Sequence, residues 1–477
     1  MTGQSAGNNT ATTGIAVPLR DPAAARIFHT SDWHLGVTVR NRSRADDHDA
    51  AIAELTAIAQ AAAPDLIVHT GDLFDGHRPP MADFGRAIVA LRNLAEIAPV
   101  VVLAGNHDSA AALEVLGTAV GDELPDQLAS GPYDPLAPCR HRIRIHARPA
   151  TAAKGAVATY SSAAGVDIRL TALPFVHANR VLKEFDQLAE ANTTYADKLR
   201  EIVDLLTKTA LTDFDPSRQV AVFASHVHVT EAALSSERTV HVSTDYATDA
   251  GHLPAAYGYL AFGHIHVPQP VAGGRGRYAG SILEVDFGEE GETKQVVVVD
   301  LEPGRPARQH QIPLVAARKL RRVRAPLAEL AALADDLGHD IVEVTVTPDP
   351  DGNDHIDGPI VLPGADDTFD TLSAAVHHLL PQPEIVSVID ARRSSVATAD
   401  QLPSAAGAAV SVHQSYRAWL GDGGRSLFDK TPGADPARVV ELFDELLTAV
   451  VNGDTGDLPE DEALLAAQLQ GSVGERR

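Results

Sequence analysis

Five short clusters of aspartate, asparagine and histidine carry the side chains of this sequence that are best suited to chemistry. They are Asp32-x-His34, Gly71-Asp72-x-x-Asp75, Gly105-Asn106-His107-Asp108, His226 and Gly263-His264-x-His266. Carboxylate, amide and imidazole groups together form a donor set that suits Mn²⁺, Zn²⁺ or Fe²⁺ rather than Ca²⁺. The clusters therefore predict a site for a divalent transition metal.

The clusters offer more ligands than one ion can bind, which indicates two ions that share a bridging ligand. Two ions about 3.5–4 Å apart would hold the attacking and leaving oxygens of a phosphoryl displacement. A carboxylate suits the bridge because its two oxygens can face different ions, and we assign this role to Asp72. Asp32 and His34 are two residues apart, as are His264 and His266. In an extended segment the members of such a pair point the same way, so each pair would supply two ligands from one strand end.

Each cluster follows a short apolar run that is typical of a buried strand. These runs cover residues 26–31, 65–70, 99–103, 219–224 and 257–262. Helical spacing of apolar residues predicts helices over 45–63 and 79–96, between the first three runs. The alternation of strands and helices predicts a parallel sheet, and such sheets bind ligands at the C-terminal ends of their strands.

The predicted fold class is α/β, with a two-sheet core (an α+β sandwich) flanked by helices. The predicted divisions are a disordered tail at 1–25, a core domain at 26–325, a small α+β capping domain at 326–392, a linker at 393–406 and a helix-loop-helix tail at 407–477. Residues 277–301 and 311–324 are predicted to close the second sheet. In the tail, Asp435-Pro436 is a helix-start signal followed by apolar residues at helical spacing.

Composition excludes several classes of protein. The 477 residues carry a formal charge of −25, which argues against gripping nucleic acid by bulk charge but not against a metal-dependent nucleic-acid enzyme. The single cysteine, Cys139, excludes an intrachain disulfide and a cysteine-based zinc site, and it favours the cytoplasm. No apolar stretch approaches 18 residues, so no membrane span is predicted.

Several other conspicuous residues have structural or open interpretations. His29 and His69 precede motifs within strands and are predicted to lie in the core or to contact the metal ligands rather than to be ligands, whereas His48 is predicted on a helix surface and His77 in a loop. Two basic runs either contact a phosphate backbone or form solvated surface. They are Arg40, Arg42 and Arg44, and Arg318, Lys319, Arg321, Arg322 and Arg324.

The clusters and their flanking residues resemble the calcineurin-like metallophosphoesterase superfamily, in particular its branch of bacterial nucleases that process DNA double-strand breaks. The resemblance spans residues 26–325. It rests on Phe28-His29-Thr30-Ser31-Asp32-Trp33-His34-Leu35-Gly36, Gly71-Asp72-Leu73-Phe74-Asp75, Leu103-Ala104-Gly105-Asn106-His107-Asp108-Ser109, Gly263-His264-Ile265-His266, Tyr278-Ala279-Gly280-Ser281 and Asp286-Phe287-Gly288-Glu289.

This resemblance implies a ligand set and a cofactor. One metal would take Asp32, His34, Asp72 and His266, and the other Asp72, Asn106, His226 and His264. His107 would contact the scissile phosphate and assist the leaving oxygen. The family's usual metal is manganese, which implies two Mn²⁺ per chain, with Mg²⁺ or another divalent metal as alternatives. His228 is the alternative to His226, because it lies two residues further on.

The resemblance also implies an activity and partners. The chain would be a 3′–5′ double-strand exonuclease and a hairpin or single-strand endonuclease, acting in the nucleoid. It would form a homodimer within a heterotetramer, with an ATPase subunit bound by the C-terminal tail. The sequence has no Gly-x-x-x-x-Gly-Lys-Ser/Thr loop, so ATP dependence would come from that partner. Two alternatives stay open, namely a small-molecule phosphatase or phosphodiesterase of the same superfamily and a non-catalytic DNA-end scaffold.

Overall fold

The computed structural model describes residues 17–121, 139, 142–177, 195–233, 247–248, 253, 255–350, 360–362 and 368–392. The chain divides into two compact units, Met1–Ser395 and Val396–Arg477, and all described residues belong to the first. The predicted linker at 393–406 and tail at 407–477 lie outside the described residues. So do most residues of the predicted N-terminal tail.

The described part of the chain contains six α-helices and 21 strands. The helices are α1 Ala45–Ala62, α2 Met81–Ile97, α3 Ala110–Val120, α4 Tyr195–Ala210, α5 Ala334–Leu337 and α6 Leu372–Leu379. The strands are β1 Ala25–Thr30, β2 Thr38–Val39, β3 Arg42–Ser43, β4 Leu66–His69, β5 Val100–Leu103, β6 Ile143–His146, β7 Val157–Ser161, β8 Asp167–Leu173, β9 Gln219–His226, β10 His228–Val229, β11 Ala247–Thr248, β12 Tyr257–Gly263, β13 Gln269–Val271, β14 Gly276–Tyr278, β15 Gln295–Leu301, β16 Arg308–Pro313, β17 Leu320–Pro326, β18 Ile341–Thr347, β19 Ile360–Val361, β20 Thr368–Phe369 and β21 Glu384–Asp390. Short 3₁₀ turns lie at Ala152–Lys154, Ala272–Gly274, Phe287–Glu289 and Leu327–Leu333.

The first sheet has six strands in the order β16-β15-β1-β4-β5-β6. Strands β1, β4, β5 and β6 run parallel, as the strand–helix alternation predicts. Strand β15 pairs antiparallel with β1, and β16 pairs antiparallel with β15. The expectation that residues 277–301 and 311–324 close the second sheet is therefore wrong for β15. It is also wrong for 311–324, which fall in β16 of the first sheet and in β17 of a separate three-stranded sheet. The run Val296–Val299 of β15 is apolar on both faces because it lies inside the first sheet.

The second sheet has the order β13-β14-β12-β9-β8-β7, and β8, β9, β12 and β14 are parallel. Its inner face packs against the first sheet through side chains such as Ile27, Val68, Val222 and Tyr259. The helices cover the outer faces, with α1 and α2 on the first sheet and α4 on the second. This four-layer arrangement confirms the predicted α/β class, and it brings the strand ends of both sheets to one edge.

The capping region is a three-stranded parallel sheet, β17-β18-β21, with α6 packed on it. Strand β17 begins at residue 320, so the sheet of this region starts before the predicted domain boundary near 325. Ion pairs hold the region to the core, among them Arg318 to Asp47 of α1 at 2.9 Å. Within the described residues, no helix is long and apolar enough to cross a membrane.

Candidate metal centre

The loops that follow β1 and β4 are joined by main-chain hydrogen bonds. The amide of Asp32 donates to the Gly71 carbonyl oxygen at 2.9 Å, and the amide of His34 donates to the Asp72 carbonyl oxygen at 3.1 Å. The amide of Leu35 continues this ladder to the carbonyl oxygen of Leu73 at 3.0 Å. Because the two loops are paired residue by residue, the first two clusters form one structural unit.

Four of the predicted ligands have positive φ angles. The values are 49° for Asp32, 47° for His34, 51° for Asp72 and 108° for His264. Such conformations are uncommon outside glycine and concentrate at functional sites. The expectation that Asp32 and His34 are presented by an extended segment is therefore wrong. Left-handed turns in the backbone, rather than strand alternation, aim these side chains.

Two glycines are required by the close approach of the loops. A Cβ atom on Gly105 would lie 2.0 Å from Oδ1 of Asp72, and one on Gly71 would lie 2.2 Å from Nδ1 of His226. Gly71 also has a φ of +107°. Any larger residue at either position would displace a predicted ligand, which explains the glycine before Asp72 and the glycine before Asn106.

His226 faces a set of atoms that can only accept hydrogen bonds. Its Nδ1 donates to the Thr70 carbonyl oxygen at 2.8 Å, so Nε2 carries the lone pair of the neutral ring. Nε2 lies 2.9 Å from Oδ1 of Asn106 and 3.4 Å from Oδ2 of Asp72. Three acceptors this close repel one another unless a proton or a metal cation lies among them. Ligand atoms on one metal ion lie about 3 Å apart, so the arrangement fits a metal site.

His264 joins this group, whereas His228 lies at its margin. Nδ1 of His264 is 2.8 Å from the same Asn106 oxygen. The amide of His264 donates to Oδ1 of Asp32 at 3.1 Å, which connects the second sheet to the loop after β1. The ring of His226 lies 5.2 Å from that of His264, whereas the ring of His228 lies 6.2 Å from it. Together with the contacts of His226 to Asn106 and Asp72, this geometry favours His226 over His228 as the candidate ligand.

The Asp72 carboxylate lies between the two predicted ligand sets. Its Oδ1 accepts from the His107 amide at 2.8 Å. Its Oδ2 lies 3.7 Å from Nε2 of His34 and 3.4 Å from Nε2 of His226. The bridging role of Asp72 stays a prediction, but the geometry changes its expected form. One oxygen, rather than two, faces histidines of both sets.

The remaining ligands of the first set also converge. Potential ligand atoms of Asp32, His34 and His266 all lie within 4.8 Å of one another, and all three side chains are buried. Neither ring nitrogen of His34 has a hydrogen-bond partner among the described residues. Buried imidazoles without hydrogen bonds are rare in proteins, and a metal ion would satisfy this one.

Burial and the neighbouring charges both shift the pKa values of Asp72, Asp32 and His226. Burial favours the neutral carboxyl and is the largest single influence on Asp72, but the charge and hydrogen bond of His226, together with the charges of His107 and His34, hold the pKa of Asp72 well below its usual range. For Asp32 burial dominates, and the nearby Asp72 charge adds to it, so its pKa is raised. Burial lowers the pKa of His226, yet Asp72 more than reverses this and raises it to about 9.

His107 is positioned by two interactions with the loop after β4. Besides the contact of its amide with Asp72, its Nδ1 donates to the Asp75 carbonyl oxygen at 2.8 Å. That hydrogen bond fixes the ring, so the proton that the charged form can give up is on Nε2. The ring of His107 lies 5.0 Å from the ring of His34, directly beside the candidate ligands.

Comparison with known proteins identifies this arrangement. A model of the calcineurin-like phosphoesterase family matches residues 25–268, which hold all seven predicted metal ligands and His107. The chain belongs to the calcineurin-like phosphoesterase family. It is 32% identical over 324 residues to SbcD, a subunit of the nuclease SbcCD, from Bacillus subtilis (strain 168), an alignment that covers 65% of this chain and 75% of that protein. Similar matches are SbcD of Rhodobacter capsulatus, at 29% identity over 65% of this chain and 76% of that protein, and of Escherichia coli (strain K12), at 27% over 64% and 72%.

These similarities confirm the predicted family and its SbcD branch. As a calcineurin-like phosphoesterase the chain is a metal-dependent hydrolase of phosphate esters, and it binds divalent metal. The roles of the individual side chains stay predictions. All seven predicted ligands nevertheless lie at one edge of the sandwich, although they come from five separate parts of the chain.

Sequence reasoning named three residues of this calcineurin-like site but missed the contacts by which they shape it. His48 is not on a helix surface as predicted, since it is fully buried and its Nε2 donates to the Trp33 carbonyl oxygen at 2.8 Å. Asp108 accepts from the amides of Leu73, Phe74 and Gly105, which binds the loops after β4 and β5 together. Glu289 accepts from Nδ1 of His266 at 2.7 Å. His48 lies four residues before Ile52 on the apolar stripe of α1, and that spacing indicates burial.

The two predicted basic runs contact carboxylates within the protein. Arg40 contacts Glu343 at 2.5 Å, and Arg42 lies 3.6 Å from Glu384. Arg44 is fully buried beside Asp47 at 2.7 Å. In the second run, Arg318, Arg321 and Arg322 also form ion pairs with acidic residues. Arg318 thus joins the capping region to α1. Arg40 and Arg42 stay more than half exposed, as the solvated-surface interpretation expects, and Lys319 and Arg324 are exposed as well.

The raised pKa of His226 predicts that the stability of the metal-free, chelator-treated protein depends on pH. The folded-state pKa of about 9 exceeds the ordinary value of 6.5. The stabilisation from the charged ring is thus complete below about pH 6.5 and is lost as the pH rises through about 9. We expect the free energy of unfolding, measured with urea in the presence of chelator, to fall across this window more steeply than in His226→Gln. Equal slopes for the two proteins would contradict the assignment of this pKa.

Proposed function

We propose that this calcineurin-like phosphoesterase is a metal-dependent DNA nuclease of the SbcD type. The observation that carries the proposal is the convergence of Asp72, Asn106 and His226, because Nε2 of His226 lies 2.9 Å and 3.4 Å from oxygens of the other two, as ligands of one metal ion would. The SbcD proteins of three bacteria align with about two thirds of the chain. The proposed substrate is DNA, and the proposed reaction is hydrolysis of its phosphodiester bonds.

The proposed cofactor is a pair of Mn²⁺ ions per chain. The first would be held by Asp32, His34, Asp72 and His266, and the second by Asp72, Asn106, His226 and His264. Such a pair supplies a nucleophile at neutral pH and neutralises charge on the phosphate. The protein contributes the spacing of the ligands, which the paired loops after β1 and β4 maintain.

His107 is the proposed catalytic residue. Its main-chain amide orients Asp72, and its ring is fixed through Nδ1 to the Asp75 carbonyl oxygen. A ring held in this way can transfer a proton from Nε2 to the leaving oxygen of the DNA strand without first reorienting. His107 would therefore have two roles: its amide orients the proposed bridging ligand, and its ring protonates the leaving oxygen.

The direct test is a gel assay of the purified chain with Mn²⁺. Linear duplex, hairpin and single-stranded DNA are compared with a chromogenic small-molecule phosphodiester, with and without the ATPase partner. We expect cleavage of DNA, with exonuclease action from 3′ ends and endonuclease action on hairpins and single strands. Cleavage of the chromogenic substrate alone, even with the partner present, would favour a small-molecule phosphodiesterase.

Replacement of Asp72 tests whether this carboxylate is a ligand of both proposed metal ions. Asp72→Ala removes one ligand from each ion, so we expect complete loss of DNA cleavage in the gel assay. His228→Ala is the matched control, because it removes a nearby buried imidazole at the margin of the ligand group. We expect its activity to fall only mildly. Loss of activity in His228→Ala but not in His226→Ala would reverse the assignment at the end of β9.

Replacement of His107 should affect the reaction rather than metal binding. We expect His107→Gln to retain about two Mn²⁺ per chain. Turnover should fall by the 10²–10⁴-fold that is typical of lost acid–base assistance. Metal content is measured by elemental analysis after gel filtration and turnover by single-turnover cleavage of a labelled duplex. Loss of a metal ion in this variant would instead make His107 a ligand.

The proposed partner is an SbcC-type ATPase, bound through the sequence-predicted helices of the tail. These helices are too short to be stable alone, and their apolar faces need a surface to pack on. The proposed assembly is a dimer of this chain within a heterotetramer. An acidic enzyme that acts on a polyanion gains from a partner that binds DNA, which supports this assignment.

Deletion of residues 405–477 tests the tail. We expect Mn²⁺-dependent cleavage by the isolated chain to remain, while co-purification with the ATPase and stimulation by ATP are lost. Phe443→Asp combined with Leu446→Asp should reproduce the loss, since the charges would be buried at the contact. Undiminished partner binding by the double variant would show that docking occurs elsewhere.

A further inference from the structure

Glu289 is a buried carboxylate directly behind the candidate ligand His266. It has no exposed surface and lies in the 3₁₀ turn Phe287–Glu289. Oε1 accepts from Nδ1 of His266 at 2.7 Å, and Oε2 accepts from Nζ of Lys294 at 2.7 Å. Oε2 also accepts from the amide of Val285 at 3.1 Å. An isolated buried carboxylate is strongly destabilising, so a site that supplies both a cation and these donors is built to hold the charge.

Lys294 fixes the other side of the same histidine. Its Nζ donates to the His266 main-chain oxygen at 3.3 Å as well as to Glu289 and, at 2.7 Å, to Glu292. Lys294 lies directly before β15, so the central part of the first sheet anchors the pair. His266 is thus held through its ring by Glu289 and through its backbone by Lys294.

The Glu289 contact determines how His266 can bind a metal. A proton held on Nδ1 leaves Nε2 as the ligand atom, and a carboxylate acceptor makes the imidazole more basic. In His226 the corresponding acceptor is a neutral carbonyl, that of Thr70. In the first set a second carboxylate lies close to a histidine, since Oδ1 of Asp75 is 3.3 Å from Nδ1 of His34, although the two atoms form no hydrogen bond. Negative charge behind the histidines is therefore concentrated on the first ligand set.

We infer that Glu289 and Lys294 form a positioning pair that makes the first ligand set, with Asp32, His34, Asp72 and His266, the tighter of the two metal sites. This inference rests on the proposed metal centre. Loading is then ordered, with the first ion bound by the set that Glu289 supports and the second completing the site. Glu289 does not touch substrate, and it acts only through His266.

The test is calorimetric titration of Mn²⁺ into the full, chelator-treated chain without DNA, with free Mn²⁺ followed by electron paramagnetic resonance. Glu289→Gln keeps the shape but removes the charge, so we expect the tighter dissociation constant to weaken by about 10–100-fold. The weaker one should stay unchanged. Lys294→Gln, a second variant that retains Glu289, should weaken the same site.

Glu292→Gln is the matched control, because Glu292 shares the Lys294 ammonium with Glu289 but leaves the carboxylate behind His266 in place. It should leave both dissociation constants at their wild-type values. Equal weakening of both sites in Glu289→Gln, or no weakening in a variant with wild-type thermal stability, would overturn the inference. Wild-type chain that binds two Mn²⁺ unequally but cuts no DNA would refute the proposed nuclease and leave this inference standing.

Discussion

The convergence of acceptor atoms around Asp72 is the constraint on which the rest of this structure depends. A carboxylate oxygen, an amide oxygen and imidazole lone pairs meet in a buried space, where unpaired polar groups are costly. Although burial lowers the pKa of His226, the adjacent Asp72 carboxylate and the other nearby acceptors raise it to about 9, which favours a proton among these atoms. On the proposed metal centre, a divalent cation would take the place of that proton. The surrounding residues therefore serve to hold mutually repelling atoms in place. Gly71, Gly105 and Asp108 near Asp72 are explained by this requirement.

The fold holds these acceptor atoms in place mainly through the main chain of the loops that carry them. Left-handed residues at the ends of β1 and β4 cost on the order of 1 kcal/mol each, so they persist only if their surroundings determine them. Hydrogen bonds fix these residues in place. The amides of Asp32 and His34 donate to the loop after β4, and His48 donates to the Trp33 carbonyl oxygen. Asp108 extends the same ties to the loop after β5. Beneath them, the two sheets pack through a continuous apolar layer, and this rigid base allows strained loops to keep one geometry.

Much of this arrangement could be predicted from sequence, because strand ends in a parallel sheet must meet at one edge. The clusters at Asp32, Asp72 and Asn106 follow apolar runs directly, so their proximity needed no further information. The position of β15 could not be predicted, since Val296–Val299 is apolar on both faces and would fit the interior of either sheet. The left-handed turns were equally hidden, because aspartate and histidine are compatible with several backbone conformations. His48 carried a usable signal in its spacing from Ile52, but a polar residue on an apolar stripe is easily interpreted as surface.

The use of arginine in this chain bears on how a polyanion could approach the site. The protein has 39 lysine and arginine residues against 64 acidic residues, and the basic runs near 40–44 and 318–322 are paired with carboxylates. Arg318 joins the capping region to Asp47 of α1, and Arg40 joins it to the loop after β2. At the site itself, the Lys294 ammonium is buried against Glu289. Charge neutralisation at the scissile phosphate falls, on the proposed function, to the metal ions. On the proposed function, the acidic balance of the chain is what makes a DNA-binding partner necessary, because the enzyme supplies the reaction centre but little of the electrostatic affinity.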